Sequence, residues 1–140
     1  MTRVLLDTNV IVDFVLSRPG FAEHADVIFR KIEAKKVFGF ISASAITDLY
    51  FIVEHATNEE NARKATQKIY HSLRILAVDT RMIQKALYSN MKDFEDAVQT
   101  EAAKTRGIDI VVTRDKTGFT DSGLTVLSPT EFVEQLETKS

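Results

Sequence analysis

Short apolar runs alternate along the chain with longer segments in which apolar residues recur every three or four positions. The runs are rich in branched side chains and too short for helices, whereas the periodic segments are typical of amphipathic helices. Alternating strands and helices predict a doubly wound α/β domain with a parallel sheet of four to five strands. The predicted strands are residues 3–7, 37–41, 75–78 and 108–113, with 125–127 as the fifth.

Polar residues and glycines that commonly begin or end helices separate these segments. Ser42 or Ser44 can cap the helix after the second strand, and Thr57-Asn58-Glu59-Glu60 has the capping-box pattern for the next helix. A later helix is predicted over about 93–106, with Gly107 as its stop. Ser128-Pro129-Thr130-Glu131 is the opening of a closing helix.

Length and composition fit one compact domain, which we expect to span residues 1–140. The chain is 44% apolar with a formal charge of −2, so any nucleic-acid partner has to be held by a local site. The absence of cysteine excludes disulfides and thiolate metal sites. The most apolar stretch, 4–16, is interrupted by polar residues and cannot cross a bilayer as an unbroken helix. We expect a cytoplasmic protein with no membrane contact.

Aspartates follow two of the predicted strands. Asp7 closes the first strand, and Asp115 lies two residues past the fourth. Because ligands of open α/β sheets bind beyond the carboxyl ends of the strands, both are expected at one rim. Asp48 lies about two turns into the helix after the second strand, and Asp96 lies in the first turn of the helix before the fourth. Either can face the same rim.

Several converging carboxylates indicate a divalent cation. Mg²⁺ and Mn²⁺ prefer oxygen ligands, and carboxylates without basic neighbours repel one another unless a cation lies between them. A bound ion of this kind makes hydroxide from water and neutralises a scissile phosphate, which hydrolyses phosphodiesters. Each acid alone also has a structural interpretation, since most acids of a soluble domain cover solvated faces or cap helices. The joint arrangement favours the metal site.

Three segments resemble motifs of PIN-domain ribonucleases. Leu5-Leu6-Asp7-Thr8-Asn9-Val10-Ile11-Val12 resembles their first strand and turn. Asp93-Phe94-Glu95-Asp96-Ala97-Val98 is similar to the third acidic motif, and Ile110-Val111-Val112-Thr113-Arg114-Asp115 to the fourth. The segments occur in the expected order across nearly the whole chain. The resemblance implies a three-layer α/β/α fold.

The resemblance also implies the members of the site. The second motif departs from the family pattern, because Asp48 stands where many relatives carry glutamate. Glu54 is the rival, but it lies near the helix end, where the helix dipole disfavours a carboxylate, so we prefer Asp48. Asp93 is either a further metal ligand or a helix cap. The implied catalytic residues are Asp7, Asp48, Asp96 and Asp115, the metal ligands are these with Asp93, and the supporting residues are Asn9 and Thr113.

The implied activity is endonucleolytic RNA cleavage with Mg²⁺ or Mn²⁺, leaving a 5′-phosphate and a 3′-hydroxyl. Many small bacterial relatives, of the VapC type, are dimeric toxins that a partner antitoxin silences, so we expect an antitoxin and a homodimer. Arg114 and Lys116, beside Asp115, are candidates for RNA contact, with ordinary solvated charge as the alternative. Asp13 is interpreted as structural, and the three histidines lack the spacing of a zinc site.

Two other functions compete with cleavage. A receiver-like phosphoacceptor domain would use Asp79 as its acceptor and Thr113 as its switch residue. It would also need paired acids at the first strand and a lysine at the fifth, and the chain offers neither. The other alternative is a PIN-like module that only binds a partner, against which the intact acids argue.

Overall fold

The computed structural model describes residues 2–138, in which a five-stranded parallel sheet lies between two layers of helices. This confirms the predicted three-layer α/β/α fold. The strands are β1 (Thr2–Leu6), β2 (Val37–Ser42), β3 (Arg74–Leu76), β4 (Ile110–Val112) and β5 (Thr125–Leu127). The helices are α1 (Thr8–Val15), α2 (Ala22–Glu33), α3 (Ala43–Ala56), α4 (Glu59–Ser72), α5 (Thr80–Leu87), α6 (Phe94–Thr105) and α7 (Pro129–Thr138), with a 3₁₀ turn at Lys116–Phe119.

The strand order is β3-β2-β1-β4-β5, with β1 at the centre. Thr2 of β1 is aligned with Val37 of β2, and Leu5 with Val111 of β4. The connections run outward in opposite directions from β1, so the switch point at which a ligand crevice forms lies between β1 and β4. A receiver domain has the order 2-1-3-4-5, which this sheet contradicts. Asp79 follows the edge strand β3 and caps α5 by accepting a hydrogen bond from Met82 N at 3.0 Å.

Successive residues of the central strands pack into different cores. Val4 and Leu6 belong to the larger core, with apolar residues of α1, α2, α3, α4 and α7. Leu5 belongs to the second core, with residues of α5, α6 and the 3₁₀ turn. Side chains of a strand alternate between the two faces of the sheet, so this continuous apolar strand supplies both cores.

Local hydrogen bonds decide one predicted helix start and correct another. Ser42, not Ser44, caps α3, with Ser42 Oγ accepting from Ala45 N at 3.2 Å. Asn58 caps α4 by accepting from Asn61 N at 2.8 Å. The capping box predicted from Thr57 does not form, because its hydroxyl instead donates to Val53 O at 2.7 Å, at the end of α3. The start of α4 therefore moves by one residue.

The observed boundaries of α6, β3 and β4 lie close to the predicted ones. Gly107 follows the end of α6 with a φ of +69°, a left-handed conformation that glycine adopts at no steric cost. Strand β3 begins one residue before its predicted start, and β4 is shorter than the predicted run. None of the helices within residues 2–138 combines the length and apolar character that crossing a bilayer requires.

Candidate functional site

A cleft of about 820 Å³ opens beside the ends of β1 and β4, and acidic side chains dominate its lining. Its other walls come from the start of α1, from Arg18 and from the exposed side of α3. All five acids predicted as metal ligands lie here, and a sixth acid that the sequence analysis did not propose joins them. The six are Asp7, Asp48, Asp93, Glu95, Asp96 and Asp115.

Asp7 is held by four hydrogen-bond donors. It ends β1 and caps α1, and it is only 7% exposed. Thr8 N and Gln99 Nε2 donate to its Oδ1 at 2.8 and 3.2 Å. Thr113 Oγ1 and Asn9 Nδ2 donate to its Oδ2 at 2.8 and 3.2 Å. Asn9 and Thr113 thus contact the carboxylate that they were predicted to support.

Asp96 and Asp115 face one another across Gly118. Asp115 N donates to Thr113 Oγ1 at 3.0 Å, and its carboxylate accepts from Gly118 N at 3.4 Å. A Cβ added to Gly118 would overlap Oδ2 of Asp96 and lie 3.4 Å from Oδ2 of Asp115. The space between the two carboxylates therefore depends on the absence of a side chain at Gly118.

The surroundings of Asp96 oppose ionisation of its carboxyl group. Burial, and after it the neighbouring charges of Asp7, Asp93 and Asp115, together raise its pKa to about 7. An acid shifted in this way lies in a field that opposes ionisation. A cation bound among these groups would relieve that opposition.

Glu95 joins the site through Asp48. A hydrogen bond with Asp48, and after it burial and nearby negative charges, together raise the pKa of Glu95 to about 8. Two carboxyl groups hydrogen-bond only when they share a proton, so the two side chains are close enough to act together. The signal was the position of Glu95 inside the third motif, but the sequence did not show which way its side chain points.

Asp48, and not its rival, lies in the cleft. Residues 48, 51, 52, 55 and 56 of α3 all line it, which is the spacing of one helical face. Glu54 falls between these positions and is absent from the lining. Asp93 caps α6 by accepting from Asp96 N at 2.9 Å. It also lines the cleft, so its position suits a metal ligand as well as a helix cap.

The two predicted RNA-contacting cations are paired with acids. Arg114 binds Asp13, which is 1% exposed, with Nε 2.7 Å from Oδ2, and its guanidinium lies 3.9 Å from the centre of the Phe21 ring. This supports the structural role predicted for Asp13. Lys116 Nζ donates to Glu131 at 2.8 Å. Neither cation lines the cleft; of the basic side chains described, Arg18 and His55 do.

The donor chemistry of the cleft suits Mg²⁺ or Mn²⁺, although the side chains are not arranged around an ion. Within residues 2–138, no three acids or histidines are positioned to hold a metal as they stand. Clustered carboxylates and the buried Thr8 hydroxyl, which has no partner among the described residues, are nevertheless hard oxygen donors. Cation binding therefore requires carboxylates to reorient.

Comparison with known proteins identifies the family that the chain resembles in sequence. The PIN domain family model matches residues 3–117. Ribonuclease VapC1 of Aquifex aeolicus (strain VF5) is 27% identical over 141 residues, covering 97% of this chain and 96% of that protein.

Solved structures agree with this family match in fold. The structure of VapBC2 from Rickettsia felis, bound to a DNA fragment from its promoter, has a TM-score of 0.72 at 14% identity, covering 91% of this chain and 98% of that one. VapC20 of Mycobacterium tuberculosis, described as a sarcin–ricin loop cleaving toxin, has a TM-score of 0.68 at 13% identity, covering 87% and 96%. On the family match, the chain belongs to the PIN domain family.

Proposed function

We propose that this protein is an endoribonuclease that hydrolyses RNA phosphodiester bonds with Mg²⁺ or Mn²⁺. The observation that carries the proposal is the convergence of Asp7, Asp96 and Asp115 at the switch point between β1 and β4. Hard cations prefer such ligands, and burial together with the charges of Asp7, Asp93 and Asp115 raises the pKa of Asp96, which a bound cation would offset. The name of the Aquifex aeolicus relative supports RNA as the substrate.

Each residue has a distinct part in this mechanism. Asp7, Asp96 and Asp115 would hold the cation, and Asp48 and Asp93 would support it from the sides of the cleft. The bound ion supplies charge for the scissile phosphate and lowers the pKa of a water nucleophile. Asn9, Thr113 and Gln99 orient Asp7 by donating hydrogen bonds to it.

The RNA path is proposed to follow the α3 side of the cleft. His55 lines this side from α3, and Arg18 lines the cleft from the loop after α1; both can contact phosphates. Arg18 lies 3.6 Å from Asp13, whereas Arg114 and Lys116 form closer ion pairs with acids. Phe51 lines the same wall and is 57% exposed. Exposed aromatic rings beside cations suit unpaired bases, which stack on them regardless of sequence, so we propose single-stranded RNA as the substrate.

We further propose that the protein is the toxin of a toxin–antitoxin pair. The family's small bacterial members motivate this role, and the resemblance in fold to VapBC complexes supports an antitoxin partner. A short reading frame directly upstream that encodes a DNA-binding antitoxin is the expected genetic context. A homodimer, a cytoplasmic location and one domain spanning 1–140 remain predictions.

The two alternative functions explain fewer of these observations. A binding module without catalysis has no need for six acids in one cleft, where burial and neighbouring acids raise the pKa of Asp96 and Glu95. A receiver domain is inconsistent with the strand order and with the family match.

The test is cleavage of single-stranded RNA by the purified protein. We expect cutting with Mg²⁺ or Mn²⁺ and no cutting in excess chelator. Asp7→Asn should cleave RNA at least about a hundredfold more slowly, which is the order of loss when one charge-stabilising group is removed from an active site. Asp26, exposed on α2, gives the matched control Asp26→Asn, which should cut normally. Circular dichroism and thermal unfolding check that Asp7→Asn is folded, and Asp115→Asn serves if it is not. Undiminished cutting in chelator would refute the mechanism.

A further inference from the structure

Gln99 is a buried amide to which the sequence analysis assigned no role. It lies on α6, three residues after Asp96, and is 1% exposed. Its Nε2 donates to Asp7 Oδ1 at 3.2 Å and to Asp96 Oδ1 at 3.4 Å. One side-chain nitrogen therefore bridges two carboxylates from different elements, 92 residues apart for the contact with Asp7.

The orientation of this amide is set by the carboxylates. Gln99 Oε1 is buried and has no hydrogen-bond partner among the described residues. Leaving a buried carbonyl unpaired costs free energy, so the two hydrogen bonds of the Gln99 nitrogen must offset that cost. If the amide were turned over, its carbonyl oxygen would face two carboxylate oxygens, which supply no proton when ionised. Only the observed orientation gives both acids a donor.

The bridge also acts against repulsion. An N–H between Asp7 and Asp96 brings positive partial charge to the point where the two acidic groups meet. Because Gln99 engages Oδ1 of Asp96, the other oxygen, Oδ2, is left on the Gly118 side, beside Asp115. The amide thus sets the rotation of the Asp96 carboxylate, with one oxygen on Gln99 and the other on the Gly118 side.

We propose that Gln99 is a positioning residue, which holds the carboxylates of Asp7 and Asp96 together as a pair before the carboxylates of the cleft reorient around a divalent cation. The inference rests on the proposed metal-dependent function. Gln99 does not touch the substrate in this role; it acts through the two acids, as partners of metal ligands commonly do.

The experiment measures Mn²⁺ binding by isothermal titration calorimetry on the full chain. Gln99→Met keeps the length of the side chain and removes the donor, and we expect the dissociation constant to rise about 10–100-fold. The stabilisation by saturating Mn²⁺, taken as the Tm difference between Mn²⁺ and chelator, should shrink accordingly. Thr100→Val is the matched control, since Thr100 is 2% exposed and its hydroxyl donates to the backbone oxygen of Asp96, not to a carboxylate.

The outcomes separate the two proposals. A merely structural Gln99 would lower Tm equally with and without Mn²⁺ and leave the affinity unchanged; that result, or tighter binding, would overturn the inference while leaving the nuclease intact. If the wild-type chain binds no Mn²⁺, the proposed function and the inference fall together. Should Gln99→Met not fold, Gln99→Asn, whose amide is one methylene too short for the bridge, is expected to show the same loss of affinity.

Discussion

Single side chains at the cleft act in pairs. Asp48 reaches from α3 and Glu95 from the first turn of α6, and their hydrogen bond joins the second and third acidic motifs. The two residues are therefore expected to contribute as one unit.

A double-mutant cycle tests this unit. Asp48→Asn and Glu95→Gln should each lower RNA cleavage by about tenfold or more, as partners of a metal site do. The double variant should cleave little more slowly than the less active of the two single variants, because the effects of mutating groups that act together are not additive. Steady-state cleavage rates at saturating Mn²⁺ measure the effects. Glu54→Gln, off the cleft face of α3, should match the wild type; a loss there would reverse the choice between Asp48 and Glu54.

Helix ends show how one element is attached to the next. At the start of α7, Ser128 N donates to Glu131 Oε1 at 2.8 Å while Glu131 N donates to Ser128 Oγ at 3.1 Å, a capping box. Lys116, from the 3₁₀ turn after β4, donates to the same carboxylate at 2.8 Å. The hydrogen bond from Lys116, followed by the backbone bond from Ser128, lowers the pKa of Glu131 to about 2.

This depressed pKa predicts a pH dependence. A carboxyl with a lower pKa in the folded state stabilises the fold above its ordinary value of 4.5, and the contribution is lost as the pH falls toward 2. Glu131→Gln should therefore lower Tm at pH 7, and its difference from the wild type should shrink steadily below pH 4.5. Thermal unfolding across this range is the measurement. A gap that stays constant with pH, as expected for Glu134→Gln elsewhere on α7, would contradict the assignment.

At the scale of the whole molecule, an ion pair in which Asp13 is the buried partner connects three parts of the chain. Asp13 lies on α1, Arg114 follows β4, and Phe21 precedes α2. Arg114 donates twice to Asp13, at 2.7 and 3.2 Å, and covers the Phe21 ring. Arg18 adds a weaker contact with Asp13 at 3.6 Å. The pair holds the loop that carries Asp115 against α1.

Arg114→Ala should destabilise the fold by about 3 kcal/mol, because it leaves a buried carboxylate short of its main partner. Replacing both partners, with Asp13→Asn and Arg114→Met, should recover much of the loss. Urea unfolding measures both effects, with the exposed Arg81→Ala as the control. If Arg114→Ala retained full stability and only weakened RNA binding, the earlier interpretation of Arg114 as an RNA contact would stand instead.

The sequence by itself determined the α/β class, the parallel sheet and the rim at which Asp7 and Asp115 lie, because strand alternation and strand ends are local properties. Sequence also favoured Asp48 over Glu54, through the dipole of one helix. Only the tertiary structure decided the rest. Glu95 and Gln99 enter the site because α6 packs with one particular face toward β1, and helical spacing alone does not say which face that is. Arg114 turns away from the cleft because Asp13, 101 residues distant in the chain, is buried beside it.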